Sequence, residues 1–202
     1  MDYAQGMFLA GGGGTGSFTN LMYSTDGDTW TGLSGLSSSL NTIYIVRYLN
    51  NKWYAGGVGP SQHLFVSSDG FSWTGVTTTL TQIRDIYFNG SVFVAVGSSP
   101  SSGTIMTSPD GINWSTPSGT LITSAGHSIS YYNGVWIAGG QGTPWRASYS
   151  LDNGVTWSGN TSLSTEHNVA AIGIAARDEY YLLAQDADII QDENSNNLEI
   201  EH

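Results

Sequence analysis

The segment Ser150-Leu151-Asp152-Asn153-Gly154-Val155-Thr156-Trp157 is one of four similar segments in this chain of 202 residues. Each segment, which we call a box, contains Ser, then Asp two residues later, then Gly and finally Trp. The other three boxes are one residue shorter and run from Ser24 to Trp30, from Ser67 to Trp73 and from Ser108 to Trp114. The four tryptophans lie 43, 41 and 43 residues apart. A sequence period of this length predicts a repeat architecture.

A second motif repeats with the same period. It consists of a large apolar residue, Ala two residues later and, in four copies, Gly two residues after the Ala. Its five copies are marked by Ala10, Ala55, Ala95, Ala138 and Ala184. The fifth copy lacks the Gly, and no complete box follows it. The chain therefore contains five copies of this predicted strand but four intact boxes.

The sequence between consecutive boxes follows one pattern. A Ser/Thr-rich connector precedes an alternating apolar and polar strand, a tight turn, the Ala strand, a loop and a strand that leads into the next box. The turns are predicted at Asn50-Asn51, Asn89-Gly90 and Asn133-Gly134, because Asn-Gly favours two-residue hairpins. The box Trp opens a fourth short strand. Four antiparallel strands in each unit predict a blade of a β-propeller. The alternating strands are predicted at 42–49, 82–88, 128–132 and 169–176.

These units predict a single all-β domain over residues 1–202, a β-propeller of four-stranded antiparallel blades. Only Met1–Gln5 precede the first Ala strand, and residues 188–194 stand where a fifth box would be. We expect five blades, in a ring closed by pairing between the N- and C-terminal strands. The alternatives are a fragment of a larger propeller and a ring completed by oligomerisation. The blades are predicted at about 1–35, 36–78, 79–120, 121–162 and 163–202.

Composition limits the classes of partner. The net charge is -11 with five Lys and Arg, so the basic stripe that nucleic acids require is absent and an anionic membrane surface would be repelled. The chain has no Cys, and no apolar stretch approaches ~20 residues. The start lacks a basic region followed by an apolar run, so no signal peptide is predicted. No cofactor is predicted, and the sequence leaves localisation open, an extracellular or virion-associated protein being compatible with it.

The pattern Ser-x-Asp-x-Gly-x-Thr-Trp, matched in full at Ser150–Trp157, resembles the Asp-box, or BNR repeat, of β-propellers. The resemblance covers most of residues 6–160. It implies that each box lies on the outer rim, between the third and fourth strands and away from the ligand face. The family includes sialidases, other glycosidases, lectin-like propellers and assembly factors, and phage and large-virus proteins also carry such repeats. The resemblance therefore implies a fold more specifically than a function.

The chemistry of the box also favours a structural role. Asp can accept hydrogen bonds from the N–H groups of its own turn, Gly permits a positive φ, and Trp can pack beneath. We therefore predict that the box aspartates are not catalytic acids, and that the repeated Trp anchors each blade. The residues assigned to the boxes are Ser24, Asp26, Gly27, Trp30, Ser67, Asp69, Gly70, Trp73, Ser108, Asp110, Gly111, Trp114, Ser150, Asp152, Gly154 and Trp157.

Catalysis is not expected. Sialidase chemistry, as the resemblance implies, uses three arginines that bind a carboxylate, a Tyr–Glu nucleophile pair and an acidic Asp. Aligned on the following turn, Arg47 and Arg84 lie two positions out of register, because Arg47 falls with Ile86 and Arg84 with Ile45. The family's motif context around the two arginines is also missing. A glycosidase needs two carboxyl groups about 5–10 Å apart. Outside the boxes, Asp85 and Glu166 are the only acidic residues between residues 31 and 177.

The predicted ligand face carries the loops between second and third strands and the connectors between blades. Its aromatic and amide side chains suit a neutral sugar. Trp145 is the first candidate contact because it is the one Trp that lies outside both repeated motifs, although it could instead cover a blade edge. His63, His127 and His167 lack ligand spacing, so no metal site is predicted. The candidate ligand-binding residues are Asn41, Gln62, His63, Arg84, His127, Gln141, Trp145, Arg146 and His167.

The sequence thus predicts a non-catalytic, lectin-like propeller that binds a carbohydrate or the surface of a partner protein through this face. Two alternatives stay open. One is a degenerate glycosidase of the sialidase type, and the other is a structural or assembly component of a virion or larger complex. The sequence does not decide between a monomer and a homo-oligomer.

Overall fold

The structure, a computed structural model, describes residues 1–13, 20–100, 103–119, 122–142 and 146–159, and the backbone of Ile172–Ala176 and Tyr180–Ala184. It is all-β. One 3₁₀ turn at Ser34–Leu36 interrupts the strands of the described segments. No helix within them has the length and apolarity needed to cross a bilayer.

The first two sequence units form four-stranded antiparallel sheets in simple meander order, as predicted. The second sheet coincides with the expected strands almost residue for residue, because its alternating strand, its Asn-Asn turn and its Ala strand all favour one register. The first sheet contains β1 Asp2–Ala4, β2 Met7–Gly11, β3 Leu21–Ser24 and β4 Thr31–Leu33. The second contains β5 Thr42–Leu49, β6 Lys52–Val58, β7 Leu64–Ser67 and β8 Thr74–Val76.

The third and fourth units are less separate than predicted. The pair of Ser98 with Ala125 and the parallel pairing of Ser118–Gly119 with Thr156 and Trp157 join their strands into one continuous sheet. The fourth strand of the third unit is reduced to a bridge between Thr107 and Ser115. The strands are β9 Gln82–Phe88, β10 Phe93–Ser98, β11 Ile105–Ser108, β12 Ser118–Gly119, β13 Ala125–Tyr132, β14 Val135–Gln141, β15 Ala147–Ser150 and β16 Thr156–Gly159.

The backbone of a fifth unit is present as the hairpin β17 Ile172–Ala176 and β18 Tyr180–Ala184. Strand β18 is the fifth Ala strand of the sequence, and β17 is part of the last predicted alternating strand. Residues 188–201, which are predicted to close the ring, lie outside the described residues.

Apolar residues form the core between neighbouring sheets. Met7 and Leu9 of β2 pack with Ile43 and Val46 of β5, and equivalent clusters join the second sheet to the third unit and the third unit to the fourth. Because a sheet of this size cannot bury both faces alone, stacking against neighbours supplies its stability. This serial packing is the arrangement that a propeller requires.

One predicted turn is displaced. Asn50-Asn51 and Asn133-Gly134 form two-residue hairpins in which both residues have positive φ. In the third unit the turn is centred on Gly90-Ser91, one residue later than predicted, and the Asn89 carboxamide oxygen accepts hydrogen bonds from the N–H groups of Ser91 and Val92. A glycine with positive φ at the first central position is typical of a type II′ turn.

The deeply buried tryptophans are not those of the first three boxes. Trp30, Trp73 and Trp114 are half-buried, and Trp157 alone among the box tryptophans is buried. The side chain that is fully buried in the second, third and fourth units is the large residue of the Ala strand, because it lies between two sheets. Those residues are Trp53, Phe93 and Trp136.

The first sheet has one face that no described residue covers. Tyr3, Phe8, Ala10, Met22 and Trp30, which we call the open face, lie on the side opposite the second sheet. Tyr3 and Phe8 are direct cross-strand partners whose ring centroids are 4.5 Å apart.

Comparison of equivalent positions shows that, among the first four units, this exposure is particular to the first. Met22 is 37% exposed, whereas its equivalents Phe65 and Met106 are 7% and 1% exposed beneath the preceding sheet. Phe8 is half-buried, although its equivalents in the next three units are fully buried. The first sheet therefore has the interior composition of a blade without its neighbour.

Candidate functional site

The four boxes have one shared geometry. In each, the Ser hydroxyl donates to Asp Oδ1, and the Gly N–H donates back to Ser Oγ at 2.8–2.9 Å. The Trp indole N–H donates to the Gly carbonyl at 3.1–3.2 Å. Each box is thus a turn whose Asp and Trp are engaged by the turn's own backbone.

The box carboxylates are held ionised by these contacts. Hydrogen bonds from the backbone N–H groups of Thr29 and Asp28 lower the pKa of Asp26 to about 2. Ser72 and Phe71 do the same to Asp69, whose pKa is also lowered to about 2. A general acid needs a pKa near the working pH. The boxes are therefore poorly suited to proton transfer.

At the opposite ends of the sheets, the loops after the Ala strands close in one way. The residue before each third strand accepts a hydrogen bond through its carbonyl from a Gly N–H near the end of the Ala strand; these residues are Asn20, His63, Thr104 and Arg146. The Asn20 and Thr104 side chains also donate to the connector carbonyls of Leu40 and Ile122. Two candidate residues, His63 and Arg146, thus occupy a position that holds loops in place.

Other candidates are spread over the same end of the molecule. Gln62 packs against the backbone of Gly75 on the outer strand β8. Arg146 donates from Nε to the Gly142 carbonyl at 3.2 Å. Asn41 and Gln141 are exposed at the start of β5 and the end of β14. Trp145 and His167 lie outside the described residues. The structure therefore does not gather these side chains into one group.

A β-bulge in the inner strands of the second, third and fourth units brings side chains together. The bulges fall between Ile43 and Ile45, between Ile83 and Asp85, and between Gly126 and Ser128. The extra residues are Tyr44, Arg84 and His127, which we call the bulge cluster. They lie near the end of each sheet where the second-to-third-strand loops begin, because Thr42 pairs with Val58 and Gln82 with Ser98. Bulges often redirect a side chain next to a functional site.

The glycine that ends the Ala motif explains why the bulges recur. A Cβ atom on Gly57 would lie 1.9 Å from the Thr42 carbonyl oxygen, and one on Gly97 would lie 1.8 Å from the Gln82 carbonyl oxygen. The bulged backbone crosses so close that only glycine fits. In all three units the bulge residue lies 13 positions before this Gly. The predicted alignment of Arg84 with Ile45 was therefore wrong, because the turn at Gly90-Ser91 shifts the register by one residue and makes Arg84 equivalent to Tyr44.

Arg84 lies at the centre of the bulge cluster. Its guanidinium carbon is 5.3 Å from the centroid of the Tyr44 ring, a cation–π distance. One terminal nitrogen donates to Gln82 Oε1 at 3.0 Å, whereas Nε is buried without a hydrogen-bond partner. Among the described residues, no carboxylate lies within ion-pair distance of Arg84, since the ion pair found there joins Arg47 to Asp85.

His127 lies close enough to Arg84 for the two side chains to interact electrostatically. Burial lowers the pKa of His127, and the Arg84 charge lowers it further, so the imidazole is neutral at pH 7. Its Nε2 atom is buried and lacks a hydrogen-bond partner. Within the described segments, no group of three or more His, Asp and Glu residues could hold a metal ion. The cluster therefore combines an aromatic face, a guanidinium and a neutral imidazole.

Asp85, next to Arg84, is committed to structural contacts. Its Oδ1 atom lies 3.5 Å from the Arg47 guanidinium and accepts from its neighbour Ile86 N–H at 2.9 Å, while Oδ2 accepts from Ile129 N–H at 3.1 Å. Burial raises the pKa of Asp85, and the Arg47 charge opposes that rise. Both oxygens hold neighbouring inner strands in place on either side of the bulge cluster.

Tyr44 was not among the predicted site residues. It belongs to an alternating strand and carries no charge, so nothing in its type drew attention to it. The signal that would have found it is the fixed spacing of 13 residues to Gly57, shared by Arg84 and His127.

Comparisons with solved structures support a propeller-like fold. The chain is similar to an ancestral GH74 enzyme, with a TM-score of 0.55 and 17% identity over 75% of this chain and 24% of that chain. It is also similar to the computationally designed Ika4 protein, with a TM-score of 0.55 and 14% identity over 77% of this chain and 91% of that chain. The designed Ika8 protein matches with a TM-score of 0.50 and 14% identity, covering 76% of this chain and 45% of that chain.

These proteins are propellers, and at such identities the likeness concerns the fold alone. The chain spans about a quarter of the length of the GH74 enzyme, for which the matched share is 24%. No protein-family model and no curated protein sequence matches this chain. What the comparisons establish is an all-β chain with propeller-like sheets.

Proposed function

We propose that this protein is a non-catalytic binding module that recognises a carbohydrate or the surface of a partner protein. Its ligand face is the end of the sheets that carries the bulge cluster and the loops after the Ala strands. The observation that supports this most directly is the convergence of Tyr44, Arg84 and His127 from three consecutive inner strands. Two of these side chains have buried polar atoms without protein partners, which is costly unless another molecule satisfies them.

The carboxylates argue for binding rather than catalysis. The described residues outside the boxes offer Asp85 near the bulge cluster, and its oxygens are occupied by Arg47, Ile86 and Ile129. A glycosidase needs a second carboxyl group within about 5–10 Å of the first. The box aspartates belong to the far, turn-forming part of each unit and have lowered pKa values.

We also infer a five-bladed ring of the Asp-box type, closed by pairing between the N- and C-terminal strands. The hairpin of β17 and β18 follows the fourth unit in the same order as earlier units, and β17 lies against β13. The open face of the first sheet has an apolar composition that a fifth blade would bury. Analytical ultracentrifugation should show a monomer if the ring closes within one chain, whereas a stable dimer would favour closure between two copies.

The binding proposal can be tested with a glycan array and with capture of partner proteins from the source organism, both using the intact chain. Double substitution of Arg84 and His127 by Gln should abolish the signal while the unfolding midpoint stays within a few degrees of the wild type. Binding that survives this substitution would place the ligand elsewhere. Turnover of fluorogenic glycosides by the wild-type chain would instead favour a glycosidase.

A further inference from the structure

Arg84 is a partly buried cation without a carboxylate partner among the described residues. Arg47 provides the comparison within the same protein, because it faces Asp85 at 3.5 Å. A buried or half-buried charge is costly unless it is paired. The acidic side chains that the structure describes include none within ion-pair distance of Arg84.

The position of the Arg84 side chain is well determined by its neighbours. The guanidinium lies over the Tyr44 ring at 5.3 Å, and its contact with Gln82 Oε1 uses one of five N–H donors. A guanidinium fixed by stacking loses less conformational freedom when it binds a planar anion. Its remaining donors form the fork that matches the two oxygens of a carboxylate.

His127 adds an unpaired ring nitrogen beside this fork. A neutral imidazole carries one N–H, which donates at this point when it lies on Nε2, and that atom has no hydrogen-bond partner among the described residues. The neighbouring Arg84 charge disfavours protonation of the imidazole, so an incoming group meets one full positive charge and one neutral polar group. That combination suits a single negative charge.

We propose that the bulge cluster is a subsite for a carboxylate group, which the Arg84 guanidinium binds while the Tyr44 ring supports it and His127 lies alongside. This inference rests on the proposed binding function and specifies the chemistry of its ligand. The carboxylate could belong to a sugar acid or to an acidic side chain of a peptide, since both present the same pair of oxygens. Neutral sugars and amides lack the charge that Arg84 would pair with.

The inference can be tested by titrating the ¹⁵N-labelled intact chain with matched charged and uncharged probes. Glucuronate is compared with glucose, and N-acetylglutamate methylamide with N-acetylglutamine methylamide. We expect shifts at the bulge cluster with the carboxylate probes, and about tenfold or more weaker binding of the uncharged ones, as charge-assisted hydrogen bonds imply. The carboxylate probe that binds more tightly identifies whether the ligand group comes from a sugar acid or from an acidic side chain of a peptide.

Three variants make the test specific. Arg84→Gln should weaken carboxylate binding by about tenfold or more. Lys52→Gln removes the same charge from an exposed position beside the Asn50-Asn51 turn, at the other end of the sheet, and should leave binding unchanged. Arg84→Lys keeps the charge without the fork and should give an intermediate affinity. This variant also tests the subsite if Arg84→Gln lowers stability.

The outcomes separate this inference from the proposed function. If glucose or the glutamine probe shifts the bulge cluster as strongly as its charged counterpart, the carboxylate inference is wrong and the binding face stands. If both carboxylates bind equally well to wild type and Arg84→Gln, the subsite is wrong as placed. If none of the probes, the glycan array or the capture experiment detects a ligand at this face, the proposed function fails as well.

Discussion

The Asp85 carboxylate accepts a hydrogen bond from the backbone N–H of Ile129 at 3.1 Å, and so joins the inner strands of the third and fourth units. Its other oxygen faces Arg47 of the second unit at 3.5 Å. One side chain thus touches three consecutive inner strands. Because His127 is two residues before Ile129, this contact also places the bulge cluster.

Substitution of Asp85 by Ala should destabilise the fold by about 1–3 kcal/mol, the usual cost of leaving buried donors unsatisfied. The lost partners are the N–H groups of Ile86 and Ile129. Arg47→Gln should cost less than about 1 kcal/mol, since the Arg47 side chain is 42% exposed and remains solvated. Urea denaturation monitored by circular dichroism measures both. An equal loss in the two variants would mean that the ion pair, rather than the backbone contacts, dominates.

The raised pKa of Asp85 has a defined effect on pH dependence. A carboxyl whose pKa is higher in the folded state stabilises the fold most below its unfolded value of about 4, and that stabilisation is lost as pH rises through the folded pKa. Relative to Asp85→Asn, the wild type should therefore lose stability between about pH 4 and neutral pH. Unfolding free energies of both proteins over this range check the sign. A difference that grows in the other direction would show that the contacts with Arg47 and the backbone outweigh burial.

The boxes should produce the opposite pH dependence. The pKa of Asp69 is about 2 in the folded chain, mainly because Ser72 and Phe71 donate backbone hydrogen bonds to it. Its stabilising effect is present above the unfolded pKa of about 4 and is lost as pH falls through about 2. Asp69→Asn should therefore flatten the loss of stability between pH 4 and pH 2. A wild type and variant with parallel profiles in this range would contradict the lowered pKa.

The box glycines provide a test of ring closure. Gly70 has a φ of +79° and its Cβ would lie 2.6 Å from Met7, whereas Gly27 has a φ of +82° and its nearest atom, in Phe8, would be 3.6 Å away. Backbone strain costs about 1–2 kcal/mol in either Ala variant, and crowding adds about 1–3 kcal/mol for Gly70→Ala. In the closed ring that we propose, a fifth blade covers Gly27, and Gly27→Ala should be as destabilising as Gly70→Ala. A clearly smaller loss for Gly27→Ala would mean that the open face stays exposed in solution.

Two tryptophans should differ in their energetic importance. Trp53 is fully buried and its indole N–H donates to Gln5 Oε1 at 3.0 Å, so Trp53→Ala should cost about 3–5 kcal/mol. Trp73 is half-buried over its own box turn, and Trp73→Ala should cost clearly less. Denaturation followed by circular dichroism compares them without relying on tryptophan fluorescence. Equal losses would restore the box Trp as the main anchor of its blade.

Much of the fold could be predicted from the sequence because the local signals agree with one another. Strands β5 and β9 lie at the residues that alternation and turn chemistry predict, and the all-β, blade-like arrangement follows from the repeat. Which aromatic residues are buried was harder to predict from the sequence. Trp53 and Trp73 have the same residue type, and only the stacking of one sheet on the next decides which is covered.

The candidate site could be predicted only in part from the sequence. Arg84 and His127 were selected for their chemistry, but their proximity depends on a bulge that breaks the simple alternation of each inner strand. Tyr44 was not predicted as a site residue, because its place in the cluster depends on the same kind of bulge. The one-residue displacement of the turn at Gly90-Ser91 then placed Arg84 in the wrong alignment, since Asn89-Gly90 carries a stronger hairpin signal than the turn that forms.

At each bulge, the residues that hold the sheet together are different from the residue that the sheet presents to solvent. An extra residue at a bulge makes no regular ladder pair, so its side chain can change while the flanking pairs and the crossing glycine keep the backbone in place. Tyr44, Arg84 and His127 therefore behave as three interchangeable positions on a constant frame. Randomising them together would turn this chain into a compact library scaffold, in which new specificities are selected without redesigning the strands that carry them.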